Sequence, residues 1–261
     1  MKELDGKHAI VCGSTQGIGL ASAKLMAERG AKITLVARNE AKLKDAVQML
    51  STASDQIHDI LVADFSQPEE LRTALKKYVA NGASPDILIN NTGGPKGGPI
   101  KDADTSEFIE AFNQHLICNH ILVQNLYPGM KQKGGGRIIN VISTSVKQPL
   151  NNLGVSNTVR GAVANWSKTM ANELGEFNIT VNNVLPGATN TGRLKSIAEV
   201  KAGKTNSSVD AVFEGMAAQS PMQRIAEPEE VAEAIAFLAS DRASYINGIN
   251  VPVDGGRTKS L

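Results

Sequence analysis

The amino-acid sequence predicts an α/β fold, with one doubly wound domain over residues 1–261, a mainly parallel sheet of about seven strands and helices on both faces. The first observation is the alternation of short aliphatic runs with longer helical patterns along most of the chain, which is typical of strand–helix–strand units. The second is a length of 261 residues without a change of composition between the halves, which favours one large domain over two small ones.

Seven runs of β-branched and aliphatic residues have the length of buried strands. They are 8–12, 32–37, 57–63, 86–90, 137–142, 180–185 and 249–253. Helix-length segments with apolar residues at helical spacing lie between them, at 18–29, 40–50, 68–79, 106–133, 154–174 and 228–239. Gly30 is placed to end the first helix, and Pro228 with the acidic residues after it suits a helix N-terminus.

The stretch 192–219 has no clear assignment. It is long for a connection without structure of its own, and such stretches are often functional. We therefore expect a substrate loop at about 190–222, which acts as a mobile lid over a site.

Composition and charge make several classes of function improbable. The formal net charge is +1 and no basic block is present, so we expect no nucleic-acid partner. No run approaches the roughly 18 apolar residues of a membrane span, and the charged first residues do not resemble a signal peptide. Cys12 and Cys118 lie in apolar runs and are interpreted as buried thiols, not a disulfide or metal pair. We expect a cytoplasmic protein without a metal site.

A glycine-rich segment follows the first predicted strand. In "IVCGSTQGIGLASAKLMAERG", Gly13, Gly17 and Gly19 stand at the start of the first helix. Glycines there let the backbone approach a pyrophosphate, and the helix N-terminus offers free N–H groups and a positive dipole end. The spacing is G-x-x-x-G-x-G instead of the commoner G-x-G-x-x-G, and a plain glycine turn is the alternative.

Three further motifs fall in order along the chain. "ILINNTGG" ends the fourth predicted strand and "ITVNNVLPGATNT" ends the sixth, at the strand ends where open α/β sheets bind ligands. "INGINVPVDGG" stands near the C-terminus. Together with the glycine turn, these motifs resemble the classical short-chain dehydrogenase/reductase family over residues 6–256, nearest its 3-oxoacyl-acyl-carrier-protein reductase-like branch. The resemblance implies a Rossmann-type fold and a nicotinamide cofactor.

The resemblance also implies which residues hold that cofactor. They are the pyrophosphate turn (Gly13, Ser14, Gln16, Gly17, Ile18 and Gly19), the adenine contact Asp64 with its neighbour Phe65 as a further cofactor residue, Asn91 with a backbone role beside the cofactor, the ribose contact Arg160, and Thr189 and Thr191 near the nicotinamide. For the polar members the alternative is a turn or capping role, which Asn and Thr often fill.

The end of the second strand bears on the choice of cofactor. An acidic residue there would bond the ribose 2′-OH and repel a 2′-phosphate, but Ala37 occupies the place and Arg38 follows. NADP(H) is therefore favoured, with NAD(H) as the second choice. The alternative is that Arg38 is simply a solvated charge.

The catalytic positions are the unusual feature of this sequence. The family has a serine after the fifth strand, a Tyr-x-x-x-Lys that begins thirteen residues later, and an asparagine on the preceding helix. Here Ser143 keeps the serine, but Ser156 stands at the tyrosine, Arg160 at the lysine, and His115 at or near the asparagine. An alcohol lacks the acidity of a phenol, and arginine stays protonated and cannot relay a proton.

Two other groups are candidate proton donors. His115 is expected to titrate near neutrality, and Lys147 lies on the loop after Ser143 that borders the substrate in the family. A packed histidine and a solvated lysine are the alternatives.

Three functions remain open. The first is an NADP-dependent oxidoreductase for a small carbonyl, alcohol or acyl thioester. The second is an NADP(H)-binding sensor or structural subunit without turnover, and the third is a lyase or isomerase with a resident cofactor. From the resemblance we expect a homodimer or homotetramer, formed through helices 106–133 and 154–174 or the C-terminal strand.

Overall fold

Seven parallel strands form one sheet in the computed structural model, which describes residues 2–260. The strands are β1 (His8–Cys12), β2 (Lys32–Ala37), β3 (Asp59–Val62), β4 (Ile87–Asn90), β5 (Gly136–Val141), β6 (Ile179–Pro186) and β7 (Asn250–Val253). Their order is β3-β2-β1-β4-β5-β6-β7, and every neighbouring pair is parallel. The order reverses between β1 and β4, which opens a crevice at their carboxyl ends. The predicted fold class is confirmed.

Nine α-helices lie in the described part of the chain. They are α1 (Gly17–Glu28), α2 (Glu40–Val47), α3 (Pro68–Ala80), α4 (Thr105–Phe112), α5 (Cys118–Gln132), α6 (Gly154–Leu174), α7 (Gly192–Thr205), α8 (Val209–Ala217) and α9 (Pro228–Ala239). Successive side chains of a strand point to opposite faces, so the sheet has two cores. Val11 of β1 packs with Met26 of α1 and Ile235 of α9, whereas Ile10 packs with Leu75 of α3 and Leu122 of α5.

The helix predicted over 106–133 is interrupted. α4 and α5 are joined by a π-helical turn, Asn113–Ile117, in which His115 lies. A π turn inserts a single residue into an otherwise continuous helical segment, so the sequence predicted one helix. Such turns occur often at functional sites.

The unassigned stretch 192–219 forms two helices, α7 and α8. Thr191 and Ser208 cap their N-termini by accepting hydrogen bonds from Leu194 N and Ala211 N. The helices pack on each other through a small apolar cluster of their own, separate from the two cores of the sheet. The stretch is therefore an ordered helical pair in this structure, and its mobility as a lid stays a prediction.

Both cysteine side chains are buried and form no disulfide, as their apolar surroundings in the sequence predicted. Among residues 2–260, no helix is both long and apolar enough to span a bilayer. The same residues contain no group of three His, Cys, Asp or Glu side chains arranged to hold a metal ion.

Candidate active site

A cavity of about 470 Å³ opens at the carboxyl ends of β1 to β4, where the strand order reverses. Five residues predicted to bind a cofactor line it, namely Gly13, Gln16, Arg38, Asp64 and Phe65. The sequence analysis missed other lining residues, including Thr15, Asn39, Lys42, Thr92, Gly93, Gly94 and Gln114. Open α/β sheets bind nucleotides at this point.

The glycine turn is packed against the end of β4. Gly13 and Gly17 have φ angles of +57° and +56°, a region that glycine adopts without strain. A β-carbon on Gly19 would lie 2.3 Å from the Gly13 carbonyl oxygen and 2.8 Å from Nδ2 of Asn91. Helix α1 can therefore begin this close to β1 only because residue 19 has no side chain.

Two of the predicted cofactor residues fix the turn in place. The buried Ser14 accepts a hydrogen bond at Oγ from Val36 N (3.1 Å), which ties the turn to β2. Asn91 Nδ2 donates to the carbonyl oxygens of Cys12 and Gly13 at 3.2 Å each. The first turn of α1 carries no acidic residue, so its N–H groups and positive dipole end can take an anion.

Two cations stand at the outer edge of the cavity. Arg38 follows β2 and is exposed, and the exposed Lys42 lies on the first turns of α2. Asn39 caps α2 by accepting a hydrogen bond from Lys42 N at 2.9 Å, which fixes where α2 begins relative to β2. On the opposite wall, Asp64 accepts from Ser66 N at 2.9 Å, and Phe65 is buried beside it.

The segment after β6 closes against the glycine turn. Thr189 is buried and donates to Gly187 O at 3.2 Å. The methyl carbon of Thr191 would lie 3.1 Å from a β-carbon on Gly17. The start of α7 is thereby joined to the pyrophosphate turn, while Ile18 packs against one core of the sheet.

Arg160 is buried at the end of β5, where its Nη1 donates to Val141 O at 2.9 Å. Burial, and to a smaller extent the charge of Arg193, lowers the pKa of Arg160 to about 10. Arg160 therefore stays positively charged at neutral pH. Ser143 Oγ accepts a hydrogen bond from Ser145 N at 3.1 Å. Ser143 is half-buried, and so is Ser156 in the first turn of α6. Lys147 ends the short 3₁₀ turn that follows Ser143.

Helix α6 brings these positions towards one end of the sheet. It packs against the 3₁₀ turn Thr144–Val146 and against the π-helical turn that holds His115. The elements that carry the four positions of the family's catalytic set are therefore in contact with one another, as a shared site requires. These positions are Ser143, Ser156, Arg160 and His115.

His115 does not have the near-neutral pKa that the sequence analysis predicted. The ring is 1% exposed, and neither nitrogen has a hydrogen-bond partner among the described residues. Burial, and to a smaller extent the nearby charge of Arg160, lowers the pKa of His115 well below the usual 6.5. His115 is consequently a neutral imidazole at physiological pH, able to donate one N–H bond but not to act as an imidazolium acid.

We predict that protein stability falls below pH 6.5, partly through His115. The lowered folded-state pKa means that the unfolded chain binds the proton first, so stability is complete above about pH 6.5 and decreases as the pH falls. The free energy of unfolding, measured by urea denaturation, should therefore fall less steeply with decreasing pH in His115→Asn than in the natural protein.

His8 is a second buried histidine for comparison, because burial lowers its pKa to about 4. His8→Asn should therefore also reduce the dependence of the unfolding free energy on pH. If His115→Asn retains the complete pH dependence of the natural protein, the assignment of a lowered pKa is wrong. The same assignment predicts no limb near pH 6.5 from His115 in a pH–rate profile.

The fold and site together define a dinucleotide-binding α/β protein of the Rossmann type. A family model described as enoyl-(acyl carrier protein) reductase matches residues 13–258. The chain belongs to the classical short-chain dehydrogenase/reductase family of oxidoreductases, as its motifs predicted.

Relatives and solved structures agree over the full length. A 3-oxoacyl-[acyl-carrier-protein] reductase of Vibrio cholerae is 32% identical over 255 residues, or 97% of this chain and 98% of that protein. An NADPH-dependent reductase of Bacillus subtilis is 30% identical over 256 residues, which are 98% of this chain and 99% of that protein. L-sorbose reductase of Gluconobacter frateurii, solved with NADPH and L-sorbose, is 32% identical with a TM-score of 0.93 and covers 100% of both chains.

Proposed function

We propose that this short-chain oxidoreductase uses NADP(H) to transfer a hydride between the nicotinamide and a small carbonyl or alcohol, in the manner of a 3-oxoacyl reductase. The observation that carries the proposal is the cavity at the reversal point of the sheet, with the glycine turn at one side and Arg38 and Lys42 at its edge. Relatives named as an NADPH-dependent reductase and a 3-oxoacyl-[acyl-carrier-protein] reductase support it.

The chain's residues fit such a cofactor. The glycine turn and the N-terminus of α1 would hold the pyrophosphate, Arg38 and Lys42 a 2′-phosphate, and Asp64 with Phe65 the adenine. Thr189 and Thr191 would contact the nicotinamide end, and the free N–H groups of Arg160 the ribose. The bound cofactor supplies the hydride.

Ser143 is the proposed donor to the substrate oxygen, because its hydroxyl lies at the end of β5 and has a free proton to donate. The neutral His115 can add an N–H bond but no acidic proton. We infer that the proton comes from a water ordered by Ser156 and Arg160, with Lys147 as the second candidate donor. A binding protein without turnover is the alternative function, favoured by the replaced tyrosine and lysine.

NADPH oxidation across ketones, aldehydes and acyl thioesters, measured beside direct NADPH binding, tests the proposal. Turnover of at least one class is expected. Tight binding of NADPH without oxidation by any substrate would favour the binding-protein function.

We predict that Arg38→Asp reverses the preference for NADPH over NADH. The change removes a cation facing the 2′-phosphate and adds an acceptor for the 2′-OH, so the ratio of the two dissociation constants should shift by about 100-fold, or 2.7 kcal/mol. Fluorescence titration with each cofactor measures it. Lys76→Asp is the matched control, because Lys76 is exposed on α3 and does not line the cavity. An unchanged preference in Arg38→Asp would exclude this role.

We also propose that the chain forms a homodimer or homotetramer in the cytoplasm. Ile109 and Phe112 of α4 are 63% and 41% exposed, and Ile249 before β7 is 45% exposed, which supports contacts on the faces expected from the family. The two free buried thiols suit a reducing compartment. Light scattering at micromolar concentration should give a mass of two or four chains, and a monomer would contradict the proposal.

A further inference from the structure

Two arginine side chains from different elements converge on the loop after β4. Nη2 of Arg193 lies 3.7 Å, and Nη2 of Arg160 lies 4.0 Å, from the point that a β-carbon on Gly94 would occupy. Arg193 also donates to the carbonyl oxygen of Pro95, so the start of α7 reaches across to the β4 loop. The two guanidinium groups therefore both approach Gly94, which itself lines the cofactor cavity.

Neither arginine has an acidic partner. Among residues 2–260, no carboxylate lies within salt-bridge distance of Arg160 or Arg193. Arg160 is buried, whereas Arg193 is partly open to solvent. A buried cation without a counter-charge is costly, and a second cation nearby adds repulsion. Burial lowers the pKa of both arginines, and the charge of Arg193 lowers that of Arg160 further. An anion that binds between them would relieve both costs.

His115 adds an independent sign that a ligand belongs there. Its ring is buried, and both nitrogens are without a partner in the described chain. The charge of Arg160 contributes to the lowered pKa of His115, so the two side chains are near each other. A buried polar group normally has a hydrogen-bond partner. The two arginines therefore lie at the Gly94 wall of the cavity, with an unsatisfied buried imidazole near Arg160.

We propose that Arg160 and Arg193 bind a carboxylate of the substrate, which makes the substrates oxo acids and the corresponding hydroxy acids in preference to neutral carbonyl compounds. Guanidinium groups match the planar geometry of a carboxylate and bind it through paired hydrogen bonds. The cofactor's pyrophosphate already has a site at the glycine turn and the start of α1. Arg193 has no contact assigned to the cofactor, and Arg160 has five N–H donors, of which one bonds Val141 O, so it can bind the carboxylate as well as the ribose. The proposal rests on the oxidoreductase function proposed above.

The test compares 2-oxo and 3-oxo acids with their methyl esters, which keep the carbonyl and lose the charge. The natural protein should have a kcat/KM at least about tenfold higher for one acid than for its ester. Arg193→Gln should lower kcat/KM for the acid about tenfold or more, chiefly through KM, and change the value for the ester less than about twofold. Lys195→Gln, which removes an exposed cation from the same helix, is the control and should leave both values unchanged.

Calorimetry gives a readout that needs no turnover. With NADP⁺ bound, an oxo acid cannot be reduced, so its dissociation constant can be measured directly in the natural protein, Arg193→Gln and Arg193→Lys. We expect binding about tenfold weaker in Arg193→Gln and intermediate in Arg193→Lys, with unchanged NADP⁺ affinity as the check on folding. Failure to oxidise NADPH with any substrate would count against the proposed function, and the calorimetric comparison would still decide the carboxylate site.

Two results would overturn the proposal. The first is equal binding of acid and ester by the natural protein. The second is a weaker affinity of Arg193→Gln for NADPH, with equal losses for acid and ester, which would assign the arginine pair to a phosphate of the cofactor.

Discussion

Replacing Gly19 by alanine is expected to remove NADPH binding and to destabilise the protein. The new methyl group would lie 2.3 Å from the Gly13 carbonyl oxygen and 2.8 Å from Asn91 Nδ2, and both atoms are fixed by hydrogen bonding to each other. Neither can move without opening the turn, so α1 must shift away from β1. Overpacking of this kind costs about 1–3 kcal/mol of folding free energy.

The larger expected effect of Gly19→Ala is on the affinity for NADPH, not on the stability of the fold. Displacement of the first turn of α1 moves the N–H groups that would hold the pyrophosphate, and we expect NADPH to bind at least about 100-fold more weakly. Fluorescence titration measures the affinity, and urea denaturation measures the free energy of unfolding.

Gly203→Ala is the matched control. Gly203 lies in α7, no other atom would come within 4 Å of its β-carbon, and its φ is not positive. Alanine is favoured over glycine in a helix by about 0.5–1 kcal/mol, so this variant should be slightly more stable and bind NADPH normally. A Gly19→Ala protein with nearly natural NADPH affinity would show that the turn does not hold the pyrophosphate.

The double variant Ser156→Tyr, Arg160→Lys is expected to raise the rate of carbonyl reduction by about 100-fold. The two positions are one helical turn apart on α6 and therefore share a face. A phenol in place of the Ser156 alcohol supplies the acidic proton that the natural site lacks, and a positioned acid contributes about 10²–10⁴ in rate. A lysine at 160 keeps a donor for Val141 O, which Arg160 bonds now.

The control is Ser156→Phe with Arg160→Lys, which has the same bulk and no hydroxyl. NADPH oxidation is measured for each variant with the same ketones and acyl thioesters, beside NADPH binding. If the Tyr and Phe variants react at the same rate, the phenol is not positioned over the substrate. If both bind NADPH and neither turns over, the binding-protein function is preferred to the reductase.

The sequence by itself determined the fold and one end of the site. Apolar runs with β-branched residues predicted β1 and β2 at the residues that form them, because a strand buried on both faces leaves a continuous hydrophobic signal. The places of the glycine turn and of Arg38 at the cavity were also predicted from sequence, because a tight approach of backbone to a phosphate requires glycine and a cation after the second strand suits a 2′-phosphate. The contact of Arg38 with that phosphate stays a prediction. These features are local, and each depends on a few adjacent residues.

Only the tertiary structure decided the chemistry at the other end. The sequence suggested a His115 that titrates near neutrality, but burial in the π-helical turn and the charge of Arg160 lower its pKa well below that range. Arg193 gave no signal beyond its position two residues after Thr191, and its approach to Arg160 depends on how α7 packs across the β4 loop. Desolvation and charge interactions depend on distances between residues far apart in sequence, and only the folded chain sets those distances.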